Sequence, residues 1–296
     1  MKPPQRIAVT SDFSPESHRA FAPAASLARK TGARLCVVHV APTPFSAVAA
    51  WPDVGPGYVP AGYFEDLERK LRDLVAGESA FAGLKAEPRL LRRVGDDPEA
   101  DFIRREGIEL VAVASHGRSG WRRFLLGSFA ENLVRTAPCP VLVLSRGTES
   151  PGAREFAPHR ILVAHDFAAQ GQADLEAARL WAGLFGAAVR FHYVIPDEES
   201  LYTAAGVQVA YRSYLTTTEE RAKESFAKVV AEGWKGIETE TRVTVGLPAD
   251  AILASAKEFA AELIVLGTHV KPRVDIFRIG SIALRILRHA PCPVLA

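Results

Sequence analysis

One unit is written twice along this chain. Thr136-Ala137-Pro138-Cys139-Pro140-Val141-Leu142 returns as His289-Ala290-Pro291-Cys292-Pro293-Val294-Leu295, and Leu126-Gly127-Ser128 returns as Ile279-Gly280-Ser281, both after 153 positions. Nearer the start, Val9-Thr10-Ser11-Asp12-Phe13 returns as Val163-Ala164-His165-Asp166-Phe167, and Gly32-Ala33 as Gly186-Ala187, after 154. A period this long spans a whole domain, not one turn of a solenoid. The 296 residues therefore divide into a first domain over 1–146, a polar linker bearing Gly and Pro over 147–158, and a second domain over 159–296.

Within each copy, short apolar runs alternate with amphipathic ones. In the first, strands are predicted at Ile7–Thr10, Leu35–Val40, Pro88–Val94, Leu110–Ser115 and Val141–Leu144. Helices are predicted between them at His18–Lys30, Phe64–Phe81, Pro98–Glu106 and Ser128–Thr136. The β-branched, nearly continuous apolar runs suit parallel strands covered on both faces. The alternation predicts an α/β fold, a doubly wound sheet in each copy. Two segments interrupt it: Ala41–Tyr63, with Trp51, Tyr58 and Tyr63, and Pro196–Thr216, with Tyr202, Tyr211 and Tyr214. Each reads either as a binding loop or as a surface excursion packed by its own aromatics.

Composition narrows the function classes. A net charge of +2 supplies no broad basic field, so nucleic acid is not an expected partner. Cys36, Cys139 and Cys292 are odd in number and have neither disulfide nor metal-ligand spacing, which points to a reducing cytoplasm. No apolar run approaches the length of a membrane span, and the first residues lack a signal-peptide core.

The stretch most suggestive of chemistry is 114–128, where a strand, a glycine-bearing loop and a helix start follow one another. Free N–H groups and the helix dipole at such a junction attract a phosphate. Plain readings stand beside this one. Asp12 either faces a ligand or caps the helix that follows, and Ser128 makes a good N-cap with or without a ligand. His116 has no identifiable nucleophile or orienting acid beside it and reads as a loop histidine bonded to backbone. Arg118, Arg122 and Arg123 either add charge-assisted contacts to phosphate or form a solvated face. Gly117-Arg118-Ser119-Gly120 lacks the Gly-x-Ser-x-Gly spacing of a hydrolase elbow, and the lysine-bearing Walker pattern is absent. Cys139 and Cys292, each between two prolines, read as small buried residues.

These motifs together resemble the universal stress protein family, in the form of two such domains in one polypeptide. The residues carrying the resemblance are Thr10-Ser11-Asp12-Phe13-Ser14, His39-Val40, Ser115-His116-Gly117 through Gly127-Ser128, and Ala137-Pro138-Cys139-Pro140-Val141. It implies a Rossmann-like, five-stranded parallel sheet per domain and pairing of domains through their last strands. The apolar runs Val141–Leu144 and Val294–Ala296 fit such pairing, because exposed they would invite aggregation. A further homodimer is compatible with it.

The nucleotide-binding branch of that family spaces its glycines as Gly, two residues, Gly, nine residues, then Gly-Ser or Gly-Thr. Those positions are Ala114, Gly117, Gly127 and Ser128 in the first copy, and Gly267, Val270, Gly280 and Ser281 in the second. Each copy lacks one glycine, and a different one. Val270 stands at the sharp turn, where left-handed geometry costs an L-residue roughly 1–2 kcal/mol, and Pro272 removes an N–H from the same loop. The first copy is therefore the expected binder of ATP, or of ADP or AMP. No metal is expected beyond nucleotide-associated Mg. The resemblance places Thr10, Ser11, Asp12, Val40, Ala114, His116, Gly117, Arg118, Gly127, Ser128 and Phe129 around that nucleotide. Asp166, Val194, Gly267, Gly280 and Ser281 match in the second copy. No catalytic base for water is identifiable, so hydrolysis is expected to be slow at most and the nucleotide to act as a conformational ligand. The rival reading is a nucleotide-independent interaction protein with both sites decayed. Gly117→Val should reproduce the second copy's defect and abolish ATP binding in equilibrium dialysis.

Overall fold

The computed structural model describes residues 2–41, 61–92, 97–115, 126–144, 156–167, 171–199, 208–268 and 279–296. The chain forms two compact units, one spanning Pro3–Phe156 and the other built from Ala157–Ala296. In the first unit the elements are β1 (Arg6–Thr10), α1 (Phe21–Thr31), β2 (Arg34–Ala41), α2 (Tyr63–Gly77), β3 (Ala86–Arg92), α3 (Pro98–Glu106), β4 (Leu110–Ala114), α4 (Ser128–Thr136) and β5 (Val141–Leu144). The second repeats the order: β6 (Arg160–Ala164), α5 (Gln172–Phe185), β7 (Ala188–Pro196), α6 (Gln208–Ala231), β8 (Thr239–Gly246), α7 (Pro248–Glu258), β9 (Leu263–Leu266), α8 (Ser281–His289) and β10 (Val294–Leu295).

Both units carry a parallel sheet with the same strand order, β3-β2-β1-β4-β5 and β8-β7-β6-β9-β10. The central strands are the apolar runs. All of β4 and β5 is buried, and Ile7, Val9, Ile161, Leu162 and Val163 are fully so. Helices end where the chain can turn: Gly32 and Gly186, matched between the copies, take φ of 72° and 65°, which a glycine adopts without strain. At α3, Asp97 accepts a hydrogen bond from Ala100 N at 3.2 Å and Pro98 fills the first turn, so the strand-to-helix junction is set locally.

Three elements differ from the sequence reading. The first helix begins as a 3-10 turn over Ser17–Ala20, because the hydroxyls of Ser14 and Ser17 organise the entry. The predicted helix Phe64–Phe81 stops at Gly77. Glu78 is extended and its carboxylate caps a separate 3-10 turn through Ala80 N at 3.0 Å. The expected loop Pro196–Thr216 is partly regular: Pro196 ends β7 and α6 starts at Gln208. Buried Tyr211 anchors that helix by donating from its hydroxyl to Asp197 Oδ1 at 2.8 Å, a tertiary contact that local helix propensity does not encode. Most of the aromatic excursion at 41–63 lies outside the described residues.

The two cores are not equivalent. Where β2 carries Cys36 and Val38, the matched positions of β7 are Arg190 and His192, both buried. Arg190 donates from Nε to Glu240 Oε1 at 2.6 Å, reaches Ser255 Oγ at 3.4 Å, and lies over the Phe259 ring at 4.5 Å. Arg242 pairs with Glu258 beside it. His192 Nε2 hydrogen-bonds Thr244 Oγ1 at 2.9 Å, whereas its Nδ1 is buried without a partner. Burial first, then the Arg242 and Arg190 charges, push this imidazole down to about 4. An unfolded histidine takes up its proton near 6.5, so between those values the unfolded chain binds more protons and stability falls as pH falls. The loss should reach on the order of 2–3 kcal/mol by pH 4. His192→Val, which installs the first unit's residue, should flatten this part of the pH–stability curve in urea denaturation from pH 7 to 4.

Candidate functional site

In each sheet the strand order reverses between two neighbouring strands, β1 and β4 in the first unit, β6 and β9 in the second. Loops leaving the carboxyl ends of such a pair run to opposite faces and open a crevice, the usual ligand site of doubly wound folds. Register places the sequence candidates there. Val9 pairs with Ala112, so Thr10-Ser11-Asp12 and Ala114-Ser115 leave side by side. In the second unit Ala164 pairs with Leu266, which sets His165-Asp166 beside Gly267.

Helix α4 opens at the same edge. Gly127 N donates to Ser115 O at 2.7 Å, and Gly127 itself occupies the N-cap position. Ser128 is therefore the first helical residue rather than the cap expected from the sequence, because Gly127 already has the extended geometry of a cap (φ −61°, ψ 141°). Being glycine, the N-cap residue brings no side-chain cap to α4, and Ser128 is exposed. The same holds for Gly280 and α8 in the second unit. Such a helix N-terminus presents N–H donors and a positive dipole end outward. His116, Gly117, Arg118, Arg122, Arg123, Val270 and Pro272 lie outside the described residues.

Asp12 organises the opposite wall. Its Oδ1 accepts hydrogen bonds from Ser14 N at 3.0 Å and from Ser14 Oγ, so it closes an Asx turn and is not the cap of α1. Phe13 follows with φ 65°, and Phe167, its match, with φ 58°. A bulky L-residue in this region is strained by roughly 1–3 kcal/mol, and such strain gathers at sites. Stacking holds the first ring: Phe13 lies 4.2 Å from His39, and the Lys70 ammonium sits over it at 4.4 Å. His39 Nδ1 in turn contacts Ser11 O at 2.7 Å. Val40, half-buried, ends this wall, and Val194 is its buried match. Sequence reading missed the strained phenylalanines. The repetition of Asp-Phe in both copies was the available signal.

The second crevice is built differently at two matched pairs. Ser11 and Ser17 of the first unit correspond to His165 and Gly171, and a Cβ on Gly171 would lie 2.4 Å from the His165 ring. Ala20 and Ala114 correspond to Asp174 and Gly267, and a Cβ on Gly267 would lie 2.7 Å from Asp174 Oδ2. In both pairs a larger side chain faces a glycine, as close packing requires. Gly267 thus accommodates a carboxylate of its own domain. Asp174 was not among the sequence candidates, because no motif includes it.

Burial first, and then the Asp166 charge, push the Asp174 carboxyl up to about 7. Its unfolded value is 3.8, so the folded form holds its proton longer, and stability is lost as pH rises from about 4 through 7. Asp174→Asn, which cannot ionise, should leave stability unchanged near pH 4 and raise it by on the order of 1–3 kcal/mol at pH 8. Thermal melts at the two pH values check this.

The remaining chemistry is sparse. Burial pushes the Cys139 and Cys292 thiols up to about 12, which makes them poor nucleophiles. Among the described residues no group of three or more His, Cys, Asp or Glu side chains is placed to hold a metal, and no helix is long and apolar enough to cross a membrane.

The universal stress protein family model matches this chain twice, over residues 4–145 and 158–296. A universal stress protein of Methanocaldococcus jannaschii is 38% identical over 79 residues, covering 26% of this chain and 46% of that protein. The chain thus spans about half of that relative's length. The universal stress protein YxiE of Bacillus subtilis is 25% identical over 146 residues, covering 47% of this chain and 97% of its own. A universal stress protein structure from Archaeoglobus fulgidus shares the fold over 98% of this chain and 97% of its own, with 22% identity and a TM-score of 0.65. Two family matches that between them take up nearly the whole polypeptide place this protein in the universal stress protein family, as a tandem of two such domains.

Proposed function

We propose that the first domain binds ATP, or another adenine nucleotide, as a conformational ligand, with the phosphates at the N-terminus of α4. One observation carries the reading. At the switch point between β1 and β4, helix α4 opens on a glycine cap, with Gly127 tied back to Ser115 O and Ser128 exposed. The N–H groups of the first turn suit an anion. The strained Phe13 and the turn closed by Asp12 support a wall shaped for a ligand. Adenine specificity rests on the resemblance through Asp12 and Val40. The reading includes pairing of the domains through their last strands and a cytoplasmic location, on the sequence grounds given above.

The sequence offers no identifiable base for water, so the proposed role is binding, with hydrolysis slow at most. Equilibrium dialysis against ATP should show binding at millimolar nucleotide or below, and its absence there would overturn the proposal. Ser128→Asp gives a sharper test. An aspartate in the first turn favours the helix by about 0.3–1 kcal/mol, yet it sets a negative charge where the phosphates would lie. The variant should melt no earlier than wild type and bind ATP at least roughly tenfold more weakly.

A further inference from the structure

The two copies of the crevice differ in the sign of what lines them. In the first, the matched positions are Ala20 and, at the end of β4, Ala114, both buried and neutral. In the second, the matched pair is Asp174 and Gly267, and a carboxylate oxygen of Asp174 lies 2.7 Å from where a Cβ on the glycine would stand. Asp174 stands in the first turn of α5, whose carboxyl end is fixed by Gly186. Its position is therefore set by the helix and not by the loop after β9. Among the described residues no donor hydrogen-bonds its carboxylate, and the charge that it feels is that of Asp166, a second carboxylate at the end of β6. The second crevice thus sets an acidic side chain against the backbone of Gly267, which the family spacing matches to the phosphate loop. With the Asp174 carboxyl pushed up to about 7, a phosphate brought to the N-terminus of α8 at neutral pH has to displace that side chain and meets the Asp166 charge and the ionised fraction of Asp174.

We propose that Asp174 is the residue that excludes phosphate-bearing ligands from the second domain and so makes the tandem unequal in ligand specificity. This rests on the reading of the switch-point crevice as an anion site. It gives a packing reason for the glycine that the second copy retains: Asp174 lies against Gly267, whereas the matched position in the first copy is Ala20.

The test counts sites. Because Val270 is itself expected to bar a phosphate, radiolabelled ATP, and separately inorganic pyrophosphate, are titrated by equilibrium dialysis into wild type, Val270→Gly, and Val270→Gly combined with Asp174→Ala or with Asp174→Asn, with melting curves to show that each variant is folded. Asp174→Ala installs the first domain's residue, and Asp174→Asn keeps the size while removing the charge. Val270→Gly alone should keep the wild-type count, and a site gained there would overturn the proposal; either folded double variant is expected to gain one site per chain. An unchanged count in both would overturn the proposal, leaving exclusion to residues of the loop. The outcome is independent of the first domain. A gain from none to one would uphold the role of Asp174 while refuting nucleotide binding by the first domain, and one site in every protein would do the reverse. In the opposite direction, Ala20→Asp combined with Ala114→Gly should abolish the first domain's binding, and retained affinity would count against the proposal.

Discussion

Everything in each domain depends on parallel strands buried on both faces. Such strands cannot be joined by tight turns, so every connection is a crossover carrying a helix. With the first strand placed inside the sheet, the chain must reverse its direction of travel once. That reversal, between β1 and β4 and again between β6 and β9, leaves a crevice at the carboxyl edge as a geometric necessity. The side chains around it then decide what it holds. Ser11, Asp12 and Ser14 form one wall through local hydrogen bonds, and the start of α4 at Gly127 forms the other.

Duplication has let the two crevices diverge while the scaffold stayed the same. The divergence is coupled: where the second copy gains a large side chain, His165 or Asp174, its neighbour is a glycine. The same divergence runs through the sheet, where Arg190, paired with Glu240, and His192 stand at the positions of Cys36 and Val38. A buried arginine is tolerated there because Glu240, Glu258 and Ser255 surround it. His192 carries the uncompensated part of that exchange, since one ring nitrogen has no partner.

The gathering of the candidate residues at one edge was legible from residue order. Spacing singled out Gly127, Ser128 and Ala114 and the family resemblance Asp12, and the register of β1 on β4 brings their elements to one edge. The finer roles were not legible. Ser128 reads as a cap until Gly127 is seen in the cap geometry, and Asp12 reads as a helix cap until Ser14 is seen bonded to it. Gly267 reads as a phosphate glycine because a motif cannot say which side chain approaches it. Asp174 is nearly a hundred residues away in sequence.

By itself the sequence determined the duplication, the α/β class, the order of strands and helices and the family, because these follow from periodicity and from residues that act locally. Only the tertiary structure decided which residue faces which across the crevice. Packing is a property of pairs brought together from distant elements. It set the second copy's retained glycine against a carboxylate that no motif includes.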